Sequence, residues 1–366
     1  MSTLFEPTTL GPMTLKNRLW RSSTWENLAD AKGHMTPELL KVYDDLASGG
    51  VGTILTGYAF IREEEQPNPG MMGIYDDSFI PEYREFTDRI HTLGANIVLQ
   101  ACYGGSQTSF QPEARLIWGP SAVKNPVFKV TPTPMTREDI AALIDSFAQA
   151  ARRARQAGFD GFQIHGAHGY LLSQFLTPYF NRREDEYGGP IENRARIIYE
   201  VLEAVRKEVG PDYPVLIKMH ATDEWGDQGL TPEESLTVAK GLEARGITAI
   251  ELSGGHISKD PSTLPIKPKI TAEEKQSYFQ KPAALIAAGV DVPVILVGGN
   301  RSVPVMEEIL EKTRIQYFSL SRTLFSEPDL PNKWKQGFRG KPRCVSCNKC
   351  WGKDRNMCVL DRKEQE

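Results

Sequence analysis

Residues 163–189, QIHGAHGYLLSQFLTPYFNRREDEYGG, hold two of the chain's six histidines, His165 and His168, with Tyr170 two residues further on. A His-x2-His pair can ligate a metal ion, and a lysine such as Lys218 can form a Schiff base with a carbonyl substrate. The residue types alone therefore leave open a metal- or Schiff-base-dependent lyase acting on a phosphorylated substrate. Four of the five cysteines fall in CVSCNKCWGKDRNMC, with Cys344, Cys347 and Cys350 at C-x2-C-x2-C spacing and Cys358 after seven more residues. Such a cluster favours ligation of an iron–sulfur centre or zinc over disulfides, and an empty or disulfide-linked tail stays open beside it. Two segments, VGGNRS (297–302) and SLSRTLF (319–325), join the Gly298–Gly299 pair to the guanidinium of Arg322, a combination suited to a phosphate.

These residues need elements to position them. Eight short β-branched runs recur along the chain: 17–24, 51–60, 95–102, 160–166, 214–221, 249–254, 293–299 and 315–322. The segments between them open on helix-start signals such as Thr36-Pro37-Glu38, Thr136-Arg137-Glu138-Asp139 and Thr231-Pro232-Glu233-Glu234. In these a threonine hydroxyl can accept an unpaired amide and the carboxylates favour the helix N-terminus. Strands joined by crossover helices are parallel, and eight such units predict an α/β fold, a (β/α)₈ TIM barrel over residues 1–335, followed by a short Cys-rich tail at 336–366. No GxGxxG follows the first run, which argues against an open doubly wound sheet. Three inserts, 103–135, 167–190 and 254–272, follow strands and so belong on the C-terminal face, where barrels keep their active sites. His165 then closes the fourth strand and His168 begins its loop.

Side-chain alternation assigns directions. Gln163 and His165 share the inward face of DGFQIHG while Phe162 and Ile164 face the helices; Lys218 and His220 share a face of PVLIKMHA, and Gln100 points inward near the end of the third strand. An inward lysine is costly unless an electron-rich group sits opposite it, so the set implies a bound polar ligand. The loops after strands seven and eight are where a barrel commonly holds a phosphate. At 366 residues and a formal net charge of -4, the chain lacks the cationic surplus of a nucleic-acid or anionic-membrane binder, so a small-molecule partner is expected. The N-terminus MSTLFEPTTLGPM has neither a basic nor an apolar leader region, and no apolar run is long enough to span a bilayer, which predicts a cytoplasmic protein.

The stretch FDGFQIHGAHGYLLSQFLTPYFNRREDEYGGPIENRARIIYEVLEAVR resembles the signature of the old yellow enzyme family, the FMN-dependent NADH:flavin oxidoreductases. With GPMTLKNRL, GGVGTILTG, NIVLQACYGG, VGGNRS and SLSRTLFSEPDL, the resemblance runs along nearly the whole chain in the family's order. It implies that His165 and His168 hold the substrate's carbonyl or nitro oxygen and that Tyr170 protonates the carbon α to that group. It further implies that Gln100 bonds the flavin pyrimidine ring, that Lys218 lies near flavin N1 and O2, and that Ser22, Ser23, Thr24, Tyr58, His165 and Gly255 border the flavin. Gly298, Gly299, Asn300, Ser321 and Arg322 match the phosphate cradle. The implied reaction is ping-pong: NADH or NADPH reduces FMN, and an electron-poor alkene, an α,β-unsaturated carbonyl or nitro compound, then takes the hydride. Members often form homo-oligomers. Many relatives carry a Thr or Cys near the first strand that tunes the flavin, a place for which SSTWEN offers Thr24 or the unusual Trp25, and Tyr103 stands where many have a His or Trp after the glutamine. The cysteine segment is similar to the [4Fe-4S] segment of 2,4-dienoyl-CoA reductases and trimethylamine dehydrogenases, in which the fourth cysteine lies further away.

Overall fold

The computed structural model describes residues 3–352 and 355–365. Eight parallel strands form the barrel: β1 (Leu19–Arg21), β2 (Thr53–Leu55), β3 (Asn96–Cys102), β4 (Gly161–Gly166), β5 (Val215–Thr222), β6 (Ala249–Gly254), β7 (Val294–Leu296) and β8 (Ile315–Leu320). Each pairs with the next, and β8 pairs back onto β1 to close the ring. All eight expected runs form strands, most of them shorter than the apolar stretch that announced them. The run at 51–60 splits: after β2 the chain leaves the ladder at Thr56–Tyr58 and returns as Ala59–Phe60 against the end of β3. The Gly57 amide donates to the Tyr43 hydroxyl in this break, and Thr56 Oγ1 accepts the Gln100 amide. The break turns Tyr58 toward the barrel mouth.

Seven helices surround the ring: α1 (Pro37–Ser48), α2 (Phe79–Thr92), α3 (Arg137–Gln156), α4 (Arg196–Val209), α5 (Pro232–Glu243), α6 (Gln280–Ala288) and α7 (Val303–Lys312); two short turns, Arg322–Ser326 and Leu330–Lys335, follow β8. The three threonine start signals act as expected. Thr36 accepts the Leu39 amide, and Thr136 with Asp139 and Thr231 with Glu234 make reciprocal capping boxes. Among the described residues no helix is long and apolar enough to cross a membrane.

The barrel interior changes character along its axis. An antiparallel hairpin, Thr8–Leu10 with Met13–Leu15, sits under the N-terminal end. Its Leu10, Met13 and Leu15 pack against the inward-facing Trp20, Leu55, Val98, Leu216, Ile295 and Tyr317, an apolar plug that buries them all. One layer higher the inward positions turn polar, with Gln100, Gln163, Lys218 and Glu251 all buried. A ligand therefore has access from the C-terminal end.

Two features organise that end. The segment after α7 and β8 crosses back over the mouth: Arg301 donates to the Cys344 carbonyl and to Ser346 Oγ (2.6 and 2.7 Å), Asn348 donates to the Ile266 carbonyl, and the Asn356 amide donates to the Glu26 carbonyl. Trp351 stacks on Trp25, ring centroids 6.2 Å apart. The cysteine-rich tail is thus packed across the barrel as a strap. The loops after β2 and β3 are clamped by Glu65, fully buried, whose Oε1 accepts the Gly104 amide at 3.0 Å and lies 3.5 Å from Arg115. Burial pushes the Glu65 carboxyl up to about 8 in spite of Arg115.

A raised carboxyl stabilises the fold only while protonated. Its contribution is complete below the ordinary carboxylate value of 4.5 and is lost as pH climbs through about 8. Urea unfolding across that window should show stability falling with pH, and Glu65→Gln should flatten the decline. An unchanged slope in the variant would show that another group is responsible.

Candidate active site

At the C-terminal mouth the strand ends, three inserts and the strap enclose about 1090 Å³ of empty space, open on one side to solvent. Its floor is a hydrogen-bonded chain across the barrel. Gln100 Nε2 donates to Gln163 Oε1 (2.6 Å), Gln163 Nε2 to Glu251 Oε2 (2.9 Å), and Ser22 Oγ lies 3.0 Å from Glu251 Oε1. Lys218 Nζ donates to Ser22 Oγ at 2.9 Å and stands 3.4 Å from Glu251 Oε1. The electron-rich group opposite Lys218 is therefore a carboxylate of the chain itself. Burial lowers the Lys218 pKa, and Glu251 opposes the shift.

His165 and His168 stand above this floor with ring centroids 5.5 Å apart. Burial, and then the charge of Lys218, holds both imidazoles well below their ordinary value, so both are neutral at pH 7. Each then carries one N–H. His165 Nδ1 has no hydrogen-bond partner among the described residues, and His168 Nε2 is 2.7 Å from Ser253 Oγ. Tyr170 packs 4.9 Å from the His165 ring. Its hydroxyl lies 3.0 Å from that of Tyr58 and 3.4 Å from Asn68 Nδ2, which also reaches Tyr58 at 3.2 Å. Burial holds the Tyr170 phenol well above its ordinary value, and the bonds with Tyr58 and Asn68 offset only part of that rise. One hydroxyl and one amide thus meet at the phenol that packs closer to His165.

The far end of the cavity is cationic. Gly298 and Gly299 have φ of 119° and 84°, and a Cβ on either would strike Phe279 or Tyr278 at 2.6–2.7 Å. Bare main chain is therefore required there. Arg322 lines this end together with Arg301, which the sequence reading had not singled out. The Thr24 and Ser321 hydroxyls meet at 3.0 Å between floor and far end. The Asn300 side chain donates to the Leu296 and Ser319 carbonyls and accepts from Ser277, so it ties β7 to β8 and leaves its main chain for a ligand.

Ser22, Ser23, Thr24, Tyr58, Gln100, His165, His168, Tyr170, Lys218, Gly298, Gly299, Asn300, Ser321 and Arg322 all line the cavity. Gly255 is not among the lining residues. Its amide donates to the Thr222 carbonyl, its φ is 73°, and a Cβ would lie 2.4 Å from the Thr263 carbonyl oxygen. It makes the turn that starts the 254–272 insert. The cysteines are free, with Cys344 on the cavity wall and Cys347 exposed. Among the described residues no three His, Cys, Asp or Glu side chains gather at a position that could hold a metal ion, at the histidine pair or in the strap.

Sequence reasoning missed Glu251, Ser253, Arg301 and the strap residues Ser346 and Trp351, and offered Cys344 as a metal ligand rather than as part of the cavity wall. Glu251 and Ser253 alternate on the inward face of AIELSG, so the rule that found Lys218 could have found them. Arg301 directly follows Asn300 in VGGNRS. Nothing local in the strap announces where it folds.

Residues 3–340 match the NADH:flavin oxidoreductase / NADH oxidase family. An NADH oxidase of Thermoanaerobacter brockii is 33% identical over 353 residues, covering 94% of this chain and 52% of that protein. An NADPH dehydrogenase of Clostridium acetobutylicum is 32% identical over 328 residues, 89% of this chain and 92% of its own length. Among solved structures, 2-naphthoyl-CoA reductase in complex with 2-naphthoyl-CoA superposes with a TM-score of 0.86 at 27% identity, over 95% of this chain and 54% of that one. An old yellow enzyme homologue from Zymomonas mobilis shares the fold, with a TM-score of 0.79 at 24% identity over 94% and 96%. The chain spans about half the length of the Thermoanaerobacter protein and of 2-naphthoyl-CoA reductase. A match over residues 3–340, carried by a closed parallel barrel with its cavity at the C-terminal mouth, makes this chain a member of the NADH:flavin oxidoreductase / NADH oxidase family.

Proposed function

We propose that the protein is an FMN-dependent oxidoreductase that draws electrons from NADH or NADPH and reduces an electron-poor alkene, such as an α,β-unsaturated carbonyl or nitro compound. The observation that carries this reading is one cavity in which two neutral imidazoles and a phenol converge at one end while two arginines and a Gly-Gly turn form the other. Bound FMN supplies the two-electron chemistry between nicotinamide and acceptor. The residues suit it: buried polar atoms without partners among the described residues, Ser23 Oγ, Gln100 Oε1, Ser319 Oγ and Thr323 Oγ1, line the wall from floor to cationic end. Lys218 and Gln100 would hold the pyrimidine edge, with the Lys218 cation favouring negative charge there. Gly298, Gly299, Arg301 and Arg322 would take the phosphate, and Tyr58, Ser22, Ser23 and Thr24 the ring system.

His165 and His168, held neutral, donate N–H bonds to the substrate oxygen as negative charge develops on it. Tyr170 delivers the proton to the α carbon. Tyr58 and Asn68 then donate to the phenolate left behind, which is how a buried phenol becomes a usable acid. Reductant and alkene would take turns at the same face, a ping-pong order. For the strap cysteines, a wall-forming role has the support of Cys344 in the lining, whereas ligation of an iron–sulfur cluster or zinc has the spacing behind it and a Cys350 thiol raised by burial and then by the closeness of Cys344, Cys358 and Cys347, without a metal-holding group among the described residues.

Anaerobically purified protein should show a flavin spectrum that bleaches with NADPH and returns on addition of an enone. A colourless protein that cannot be reconstituted with FMN would overturn the reading. His165→Ala with His168→Ala should lower enone turnover about 10²-fold while FMN stays bound; unchanged enone kinetics would remove the clamp assignment. In Tyr170→Phe, rapid-mixing kinetics should find alkene reduction slowed about 10²-fold and flavin reduction by NAD(P)H spared. Equal losses in both half-reactions would contradict the acid role.

A further inference from the structure

His220 lies two residues beyond Lys218 on the inward face of β5, 2% exposed, and it does not line the cavity. Its Nε2 accepts the main-chain N–H of His168 at 2.6 Å. His168 is left-handed, with φ of 60°, a conformation that a residue with a Cβ keeps only when its surroundings hold it there. Those surroundings are specific. Gln107 Nε2 donates to the His168 carbonyl, Ser253 Oγ bonds the ring at Nε2, and His220 takes the amide. Three elements, the loop after β3, β5 and β6, thus fix the main chain and the ring of one residue.

We infer that His220 is a positioning residue of the oxyanion clamp: by accepting the His168 amide it locks the left-handed turn that sets the His168 ring beside His165. The inference rests on the clamp reading above. An acceptor Nε2 carries no proton, so His220 must be neutral with its hydrogen on Nδ1. Burial, with the nearby His256, pushes its pKa down to about 3, which keeps that acceptor available. Deleting it leaves a buried amide unpaired and frees the turn to relax out of the left-handed region. The effect falls on the orientation of one donor, because His220 stands outside the cavity lining and bonds the main chain of His168.

The test uses FMN-loaded protein and para-hydroxybenzaldehyde, a phenol whose oxygen can occupy the clamp, titrated by its perturbation of flavin absorbance. His220→Leu should weaken phenol binding and lower enone kcat/KM about tenfold, the scale of one unmet buried hydrogen bond, with full FMN content. His220→Gln, whose Oε1 can stand where Nε2 stood, should restore most of both. A Leu variant equal to the parent protein, or a Gln variant as impaired as Leu while FMN-loaded, overturns the inference. Should either variant fold poorly, the parent holoenzyme labelled with ¹⁵N-histidine decides. His220 must then appear as the Nδ1–H form with Nε2 coupled to the His168 amide, and an Nε2–H form overturns the inference. If the His165→Ala, His168→Ala protein binds the phenol normally, the clamp itself fails. If only that double variant is impaired, the positioning role alone fails.

Discussion

A cation and a carboxylate shut inside a barrel must neutralise each other before anything else can be built around them, and Lys218 with Glu251 does this at 3.4 Å. Neither charge would be tolerated alone at that depth. Together they need hydrogen-bonding neighbours, and the neighbours define the floor: Ser22 from the end of β1, Gln163 from β4, and through Gln163 the Gln100 amide from β3. The pair therefore commits the whole middle layer to polar side chains, and it can do so because the hairpin beneath supplies an apolar plug that the polar layer does not have to provide.

The same charge reaches upward. Lys218 and burial together keep His165 and His168 neutral, so the two rings offer N–H groups without placing positive charges side by side. Tyr170 is treated differently: burial alone would make its proton too firmly held, and Tyr58 with Asn68 relieves that. One end of the cavity thus gains its donors by suppressing charge, and the other, at Arg301 and Arg322, keeps charge in place.

The barrel was legible because its eight runs and its threonine caps are local signals, each readable within about ten residues. The inward faces were legible for the same reason, since alternation within a strand needs no tertiary knowledge. The partner of Lys218 escaped because it was sought in a ligand, although Glu251 sits at an inward position of its own strand. Gly255 stands outside the cavity lining, a difference the sequence hides because a Gly-Gly pair at a strand end looks alike whether it faces a ligand or turns a loop against the Thr263 carbonyl. The strap was beyond reach. Cysteine spacing reports which side chains could converge, but the contact of Trp351 with Trp25 and the bonds from Arg301 to Cys344 and Ser346 join segments remote in sequence.

Arg301 and Arg322 each serve two masters, since both line the cationic end of the cavity and both hold the strap, Arg301 through Cys344 and Ser346, Arg322 through Asn348. Free energies of two events that share a group are reciprocal. By whatever factor the docked strap changes the binding of an anion beside those guanidiniums, a bound anion must change the docking of the strap. The affinity of the cationic end for an anion and the docking equilibrium of the last stretch of chain therefore share one coupling free energy, observed from two ends.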